Sequence, residues 1–110
     1  MLYRDRIQLL GMPDYKGGKH RHYLMTLLLQ GYRINTRMCR FIGIGNLHSE
    51  VSTLIKKNRL PLSKTLGLVA DPVTGEIPAK EVLIVWMTLE QREQYFARKK
   101  APNRKRKAND

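Results

Sequence analysis

Apolar and polar positions alternate along this chain with periods that change from segment to segment. Between Lys19 and Gln30, Tyr23, Leu24, Leu27 and Leu28 recur at i, i+1, i+4 and i+5, the stripe a helix turns toward a core. Gly31 supplies the stop. In the next stretch, Ile34 to Ile42, Asn35 or Thr36 is placed to cap a short helix. Its buried face is Met38, Cys39 and Ile42, and its other face carries Arg37 and Arg40. Gly43-Ile44-Gly45 follows as a tight turn with Ile44 as its apolar anchor. A third helix starts near Asn46, with Leu47, Val51, Leu54 and Ile55 at i, i+4, i+7 and i+8 as a buried stripe. Asn58, which tolerates a left-handed backbone, is placed to end it.

Beyond that point the period shortens. Arg59 to Val69 alternates imperfectly, as a partly buried strand does, and Asp71-Pro72-Val73-Thr74-Gly75-Glu76 has the composition of a turn. Val82 to Met87 is a continuous β-branched apolar run, so two strands around a turn predict a hairpin. Thr88 followed by Gln91 has capping-box spacing and opens a helix toward Lys99, on which Leu89, Tyr95 and Phe96 are expected to pack inward.

These elements predict a mainly α fold with a small β-hairpin: three helices in winged helix-turn-helix order, a C-terminal helix and a basic tail. The domain is expected over 19–100. Residues 1–18 are read as an arm that packs on it, because Gly11, Pro13, Gly17 and Gly18 break any element begun by Ile7, Leu9 and Leu10. Residues 101–110, with the run Arg104 to Lys107, have little to bury and are expected to be disordered.

Charge sharpens the picture. Lys and Arg number 21 against 9 Asp and Glu, a net charge of +12. The distribution is uneven. Residues 16–64 hold ten basic and one acidic side chain, 65–97 hold two and five, and 98–110 hold seven and one. Two strongly positive blocks around a negative one point to a polyanionic partner, since each phosphate neutralised releases condensed counterions. Double-stranded DNA is the expected partner, because the helix order is one in which a recognition helix enters the major groove.

The stretch from Gly31 to Leu62 also resembles the winged helix-turn-helix domains typical of bacteriophages and prophages. The likeness is carried by Leu27-Leu28-Leu29-Gln30-Gly31, Ile34-Asn35, Cys39, Gly43-Ile44, Leu47, Val51, Leu54, Asn58 and Leu60-Pro61-Leu62, and extends weakly to the strand ending at Trp86. Asn35 stands where that family often has Thr, Asn58 where it usually has Gly, and the turn is one residue shorter. The resemblance implies sequence-specific DNA binding by a mobile-element protein, as a transcriptional regulator or recombination accessory factor.

On the third helix, Asn46, His48, Ser49, Ser52, Thr53 and Lys56 lie off the apolar stripe and are the base-reading candidates. Arg33, Arg37, Arg40, Lys57, Arg59 and Lys64 flank them as candidate phosphate contacts, joined by Arg104, Lys105, Arg106 and Lys107 in the tail. The hairpin tip, with Asp71 and Glu76, is acidic, and Lys64 and Lys80 are its basic help.

Chemistry of its own is not expected. His20, His22, His48 and Cys39 lack zinc-ligand spacing, Gly43-Ile44-Gly45 lacks the third glycine of a dinucleotide fingerprint, and the carboxylates are scattered. No enzyme activity, cofactor or metal is therefore expected. The longest apolar run, Val82 to Met87, is far below the ~20 residues of a bilayer span. With one cysteine and no signal pattern, a cytoplasmic location without membrane contact is expected. An RNA-binding or ribosome-associated role, a homodimer, and a host or phage protein partner for an inhibitor on the same scaffold stay open as alternatives.

Overall fold

The computed structural model describes residues 2–100. The tail expected at 101–110, with its phosphate candidates Arg104, Lys105, Arg106 and Lys107, lies outside them. In chain order the elements are α1 (Arg4–Leu9), α2 (His20–Leu29), β1 (Ile34–Asn35), α3 (Thr36–Phe41), α4 (Leu47–Lys56), β2 (Ser63–Gly67), β3 (Val82–Trp86) and α5 (Leu89–Lys100). The result is a small α/β domain of five helices and one three-stranded antiparallel sheet.

The starts of α3, α4 and α5 and the end of α2 each have a local cause. Asn35 caps α3, its side-chain oxygen accepting from the Met38 N–H at 2.9 Å, and Asn46 caps α4 by accepting from the Ser49 N–H at 3.3 Å. At α5 the capping box is reciprocal: the Gln91 carboxamide accepts from the Thr88 N–H at 2.9 Å, and the Thr88 hydroxyl accepts from the Gln91 N–H at 3.1 Å. Beyond α2, Gly31 takes φ 92° and its N–H returns to the Leu28 carbonyl. A Cβ there would come within 3.1 Å of the Arg92 guanidinium, which would have to give way by a few tenths of an ångström.

The apolar stripes meet in one core. Tyr23, Leu24, Leu27 and Leu28 of α2 pack with Cys39 and Ile42, Ile44 from the glycine turn, Leu47, Val51 and Leu54 of α4, and Val85 of β3. Full burial of each Leu or Val side chain contributes about 1.5–3 kcal/mol, so α4 is held mainly by Leu47, Val51 and Leu54. Its other sides are left to other uses.

The hairpin is present, and β3 is the central strand. Ser63 pairs with Trp86 and Gly67 with Val82 on one side, while Ile34 pairs with Val85 on the other. That position accounts for the unbroken apolar run: Leu83, Ile84 and Val85 are covered on both faces. The edge strand β2 carries Lys64 and Thr65 outward, as edge strands commonly do. In the connecting turn the Asp71 carboxylate accepts from the N–H groups of Val73 and Thr74 at 2.7 and 3.2 Å.

The N-terminal segment docks closely. Ile7 is fully buried with Leu2 and Met12 beside it, the Tyr3 N–H donates to the Ile42 carbonyl at 3.0 Å, and the Arg6 guanidinium donates to the Phe41 carbonyl. Farther on, the Tyr23 hydroxyl donates to the Pro13 carbonyl, and Tyr15 meets the Tyr23 ring edge-on.

Several expectations are corrected. The short strand β1 joins the sheet, which therefore has three strands rather than the two of the hairpin, and the arm expected at 1–18 holds a helix, α1, that ends before Gly11 and buries Ile7. The strand expected from Arg59 to Val69 is confined to Ser63–Gly67, because only those residues pair with β3. Ile55 is 37% exposed rather than part of the stripe, and of the three residues expected to pack inward from α5 Tyr95 alone is buried, with Leu89 63% and Phe96 49% exposed. The left-handed residue after α4 is Arg59, at φ 51°, not Asn58. Its carbonyl is held by the Arg98 guanidinium of α5, so a tertiary contact, rather than local preference, fixes the site of the turn.

Candidate nucleic-acid interface

The turn from Ile42 to Gly45 presents α4 to one side of the domain. Gly43, at φ 105°, reverses the chain after α3, and the Ile44 N–H donates to the Cys39 carbonyl at 2.7 Å while its side chain sinks into the core. Asn46 then caps α4. Because the core takes Leu47, Val51 and Leu54, the residues at i, i+4 and i+8 from His48 point the other way.

These residues, His48, Ser52 and Lys56, line a groove of about 380 Å³ whose far wall is β2, through Lys64, Thr65 and Leu66. Ile55 forms part of its floor, which gives that exposed apolar side chain a place. A second recess of about 230 Å³ shares His48, Leu66 and Leu83 with the first and adds Arg37, Arg40 and Lys80 together with one carboxylate, Glu81. The two form one concave face running from α3, along α4, to the hairpin.

Of the base-reading candidates, His48, Ser52 and Lys56 come together in the groove. Ser49 and Thr53 stand one row further round α4, where the Thr53 hydroxyl donates to the Ser49 carbonyl at 3.1 Å, a bond that leaves its lone pairs open. Asn46 is engaged through its carboxamide oxygen as the cap, so only its amide N–H₂ is left to meet a base.

The phosphate candidates divide. Lys64 and Arg40 border the concave face. Arg37 also lies there but is half-buried: its guanidinium donates to the Lys80 carbonyl at 3.2 Å and ties α3 to the approach of β3, while its Nε is shut away from solvent without an acceptor. Arg33 lies instead on the face of Trp86, 4.2 Å from the ring centroid. Lys57 and Arg59 sit in a different groove with Arg98 and Lys99. Lys80, read from the sequence only as basic help for the hairpin, belongs to the concave face; its distance from α4 in sequence hid this.

Among the described residues no three of His, Cys, Asp and Glu come together so as to hold a metal ion, and no helix is long and apolar enough to cross a membrane. Cys39 is packed in the core, where burial pushes its thiol up to about 12 and removes the thiolate that would bind metal or attack an electrophile. Compared with family models, with curated proteins and with solved structures, the chain matches none.

Proposed function

We propose that this chain is a winged helix-turn-helix protein that binds double-stranded DNA sequence-specifically and carries out no chemistry of its own. In this reading α3 and α4 are the helix-turn-helix, β2 and β3 with their connection are the wing, and α4 enters the major groove. The observation that carries it is the uncovered row His48, Ser52 and Lys56 of α4 standing beside the hairpin, with four cations, Arg40, Lys56, Lys64 and Lys80, against one carboxylate, Glu81, along the concave face.

The physics follows from that placement. An α-helix fits the major groove, where each base pair presents a distinct pattern of donors and acceptors. His48 and Ser52 have donors and acceptors of short reach, suited to base edges once the helix is seated. Arg40, Lys56 and Lys64 supply the salt-dependent attraction to phosphates that fixes position without reading sequence. A mobile-element regulator or recombination accessory factor is the role proposed for such a protein.

Fluorescence anisotropy with labelled duplex DNA tests the reading. Lys56→Gln with Lys64→Gln is expected to weaken binding to every duplex and to lower the slope of log affinity against log salt by about 0.9 per lost contact. An unlabelled RNA duplex of matching sequence should compete poorly, since the narrow A-form major groove does not admit the helix. An unchanged slope, or equal competition by RNA, contradicts the reading.

One observation favours a second reading. Leu66, Leu68, Val73 and Ile77 are all exposed on the hairpin and its connection, where a phosphate-gripping wing would carry basic residues. A protein partner held by this apolar surface would leave the scaffold intact and the DNA affinity absent.

A further inference from the structure

The cationic groove behind the end of α4 is not used by the proposed recognition face. It has a volume of about 460 Å³ and brings Lys57 and Arg59, which follow α4, against Arg98 and Lys99 of α5, with His22 of α2 at its margin. Among the described residues no carboxylate lines it. All five side chains are exposed.

Two further features show that this gathering is built. Arg59 has φ 51°, a left-handed conformation that Asn58 next to it would adopt at less cost, and its carbonyl is clamped by the Arg98 guanidinium. Such strain persists only where its surroundings impose it, and functional sites are where it collects. Beneath the cations, Tyr95 is buried with its ring 5.8 Å from the Arg98 guanidinium and 5.9 Å from the Lys99 ammonium. An aromatic face gives the two charges a firm seat without neutralising them. The favourable interaction of cations with the C-terminal ends of α4 and α5 accounts for one or two of the charges, but not for an arginine held in a strained backbone among three others.

We propose that Lys57, Arg59, Arg98 and Lys99 form a second site for a nucleic-acid phosphate backbone. The inference rests on the DNA-binding reading for its ligand but not on α4 being the reader. Lys56 points into the recognition groove and Lys57 into this one, so the last turn of α4 joins the two. The site engages either the flank of the duplex held by α4 or a second duplex, and the chemistry of recognition is the same.

The test uses the full chain and duplexes of random sequence, roughly 30 base pairs or about three helical turns long. The variant Lys57→Gln/Lys99→Gln removes two charges, and Arg59→Gly removes a third while suiting the left-handed backbone. Combined, they are expected to lower the salt slope by about 2 to 3, at about 0.9 per contact, with the melting temperature unchanged. Sequence preference, measured on the same proteins, should remain.

An unchanged slope overturns the proposal, as does a slope that falls only together with the melting temperature, which would assign the charges to the helix ends. Two pools of duplex carrying donor and acceptor dyes separate the sources: energy transfer with the parent, lost in the variant, gives a second duplex, and its absence with the slope effect intact gives the flank. His48→Ala/Ser52→Ala, run in parallel, keeps the two claims apart. If that pair leaves preference untouched while the cation variant loses slope, the recognition face fails and the second site stands.

Discussion

The Arg33 guanidinium lies over the indole of Trp86, 4.2 Å from the ring centroid, and so closes the end of the sheet where β1 and β3 meet. Trp86 is the single tryptophan, which makes its emission a reporter of this contact. Arg33→Ala is expected to shift that emission and to cost about 0.5–1 kcal/mol at this partly exposed site, read by urea denaturation. Because the pair lies away from the α4 groove, the salt slope of DNA binding should not change; a lower slope would return Arg33 to the phosphate contacts.

Leu54 is fully buried at the centre of the core, and its carbonyl accepts from the Leu60 N–H, joining α4 to the chain that enters the hairpin. Leu54→Ala is expected to cost about 2–5 kcal/mol. Leu54→Asp, which buries an unpaired charge, should abolish cooperative melting in a calorimetric scan. Retained melting would mean that α4 packs by another face.

Asn35 and Asn46 each cap a helix through one side-chain oxygen. Alanine at either position is expected to cost about 1 kcal/mol by thermal or chemical denaturation. Asn46→Asp keeps the acceptor and should hold the stability. If Asn46→Ala weakens DNA binding beyond its effect on folding, its remaining amide donor contacts the ligand.

Cap and stripe signals made most helices legible, because they depend on residues within a turn or two of one another. Thr88 with Gln91, Asn35 before Met38, and Gly31 after α2 behave in the fold as their spacing predicts. What escaped depends on distant partners. Ile34 and Asn35 are too few to show a strand period, and become β1 only against Val85 and Ile84. Ile55 falls roughly 80° round the helix from Leu47, at about 100° per residue, so whether it is core or groove floor depends on where β2 comes to lie. The same holds for the interface: the row His48, Ser52, Lys56 was readable from α4 alone, whereas Lys80 joins it, and Lys57 and Arg59 leave it, through contacts made by β3 and α5.

Cys39 gives a prediction in pH. Burial holds its thiol up to about 12, above the ~8.5 of a free cysteine. The folded chain therefore keeps a proton that the unfolded chain gives up between those values. The stability linked to it is fully present below about pH 8.5 and is lost as pH rises toward 12. Native protein at pH 8 should resist a thiol-specific reagent and react at once in urea, while Cys39→Ala should flatten the alkaline loss of stability. Rapid labelling of the native protein would contradict the burial.

Selection of bound sequences from a random duplex library, carried out in parallel on the parent chain and on His48→Ala/Ser52→Ala, tests most directly whether α4 reads DNA. The account predicts an enriched motif for the parent and its loss or relaxation for the variant, with discrimination falling by about 1–3 kcal/mol per lost base contact while non-specific affinity remains. An unenriched pool for the parent, or the same motif recovered by the variant, would contradict it.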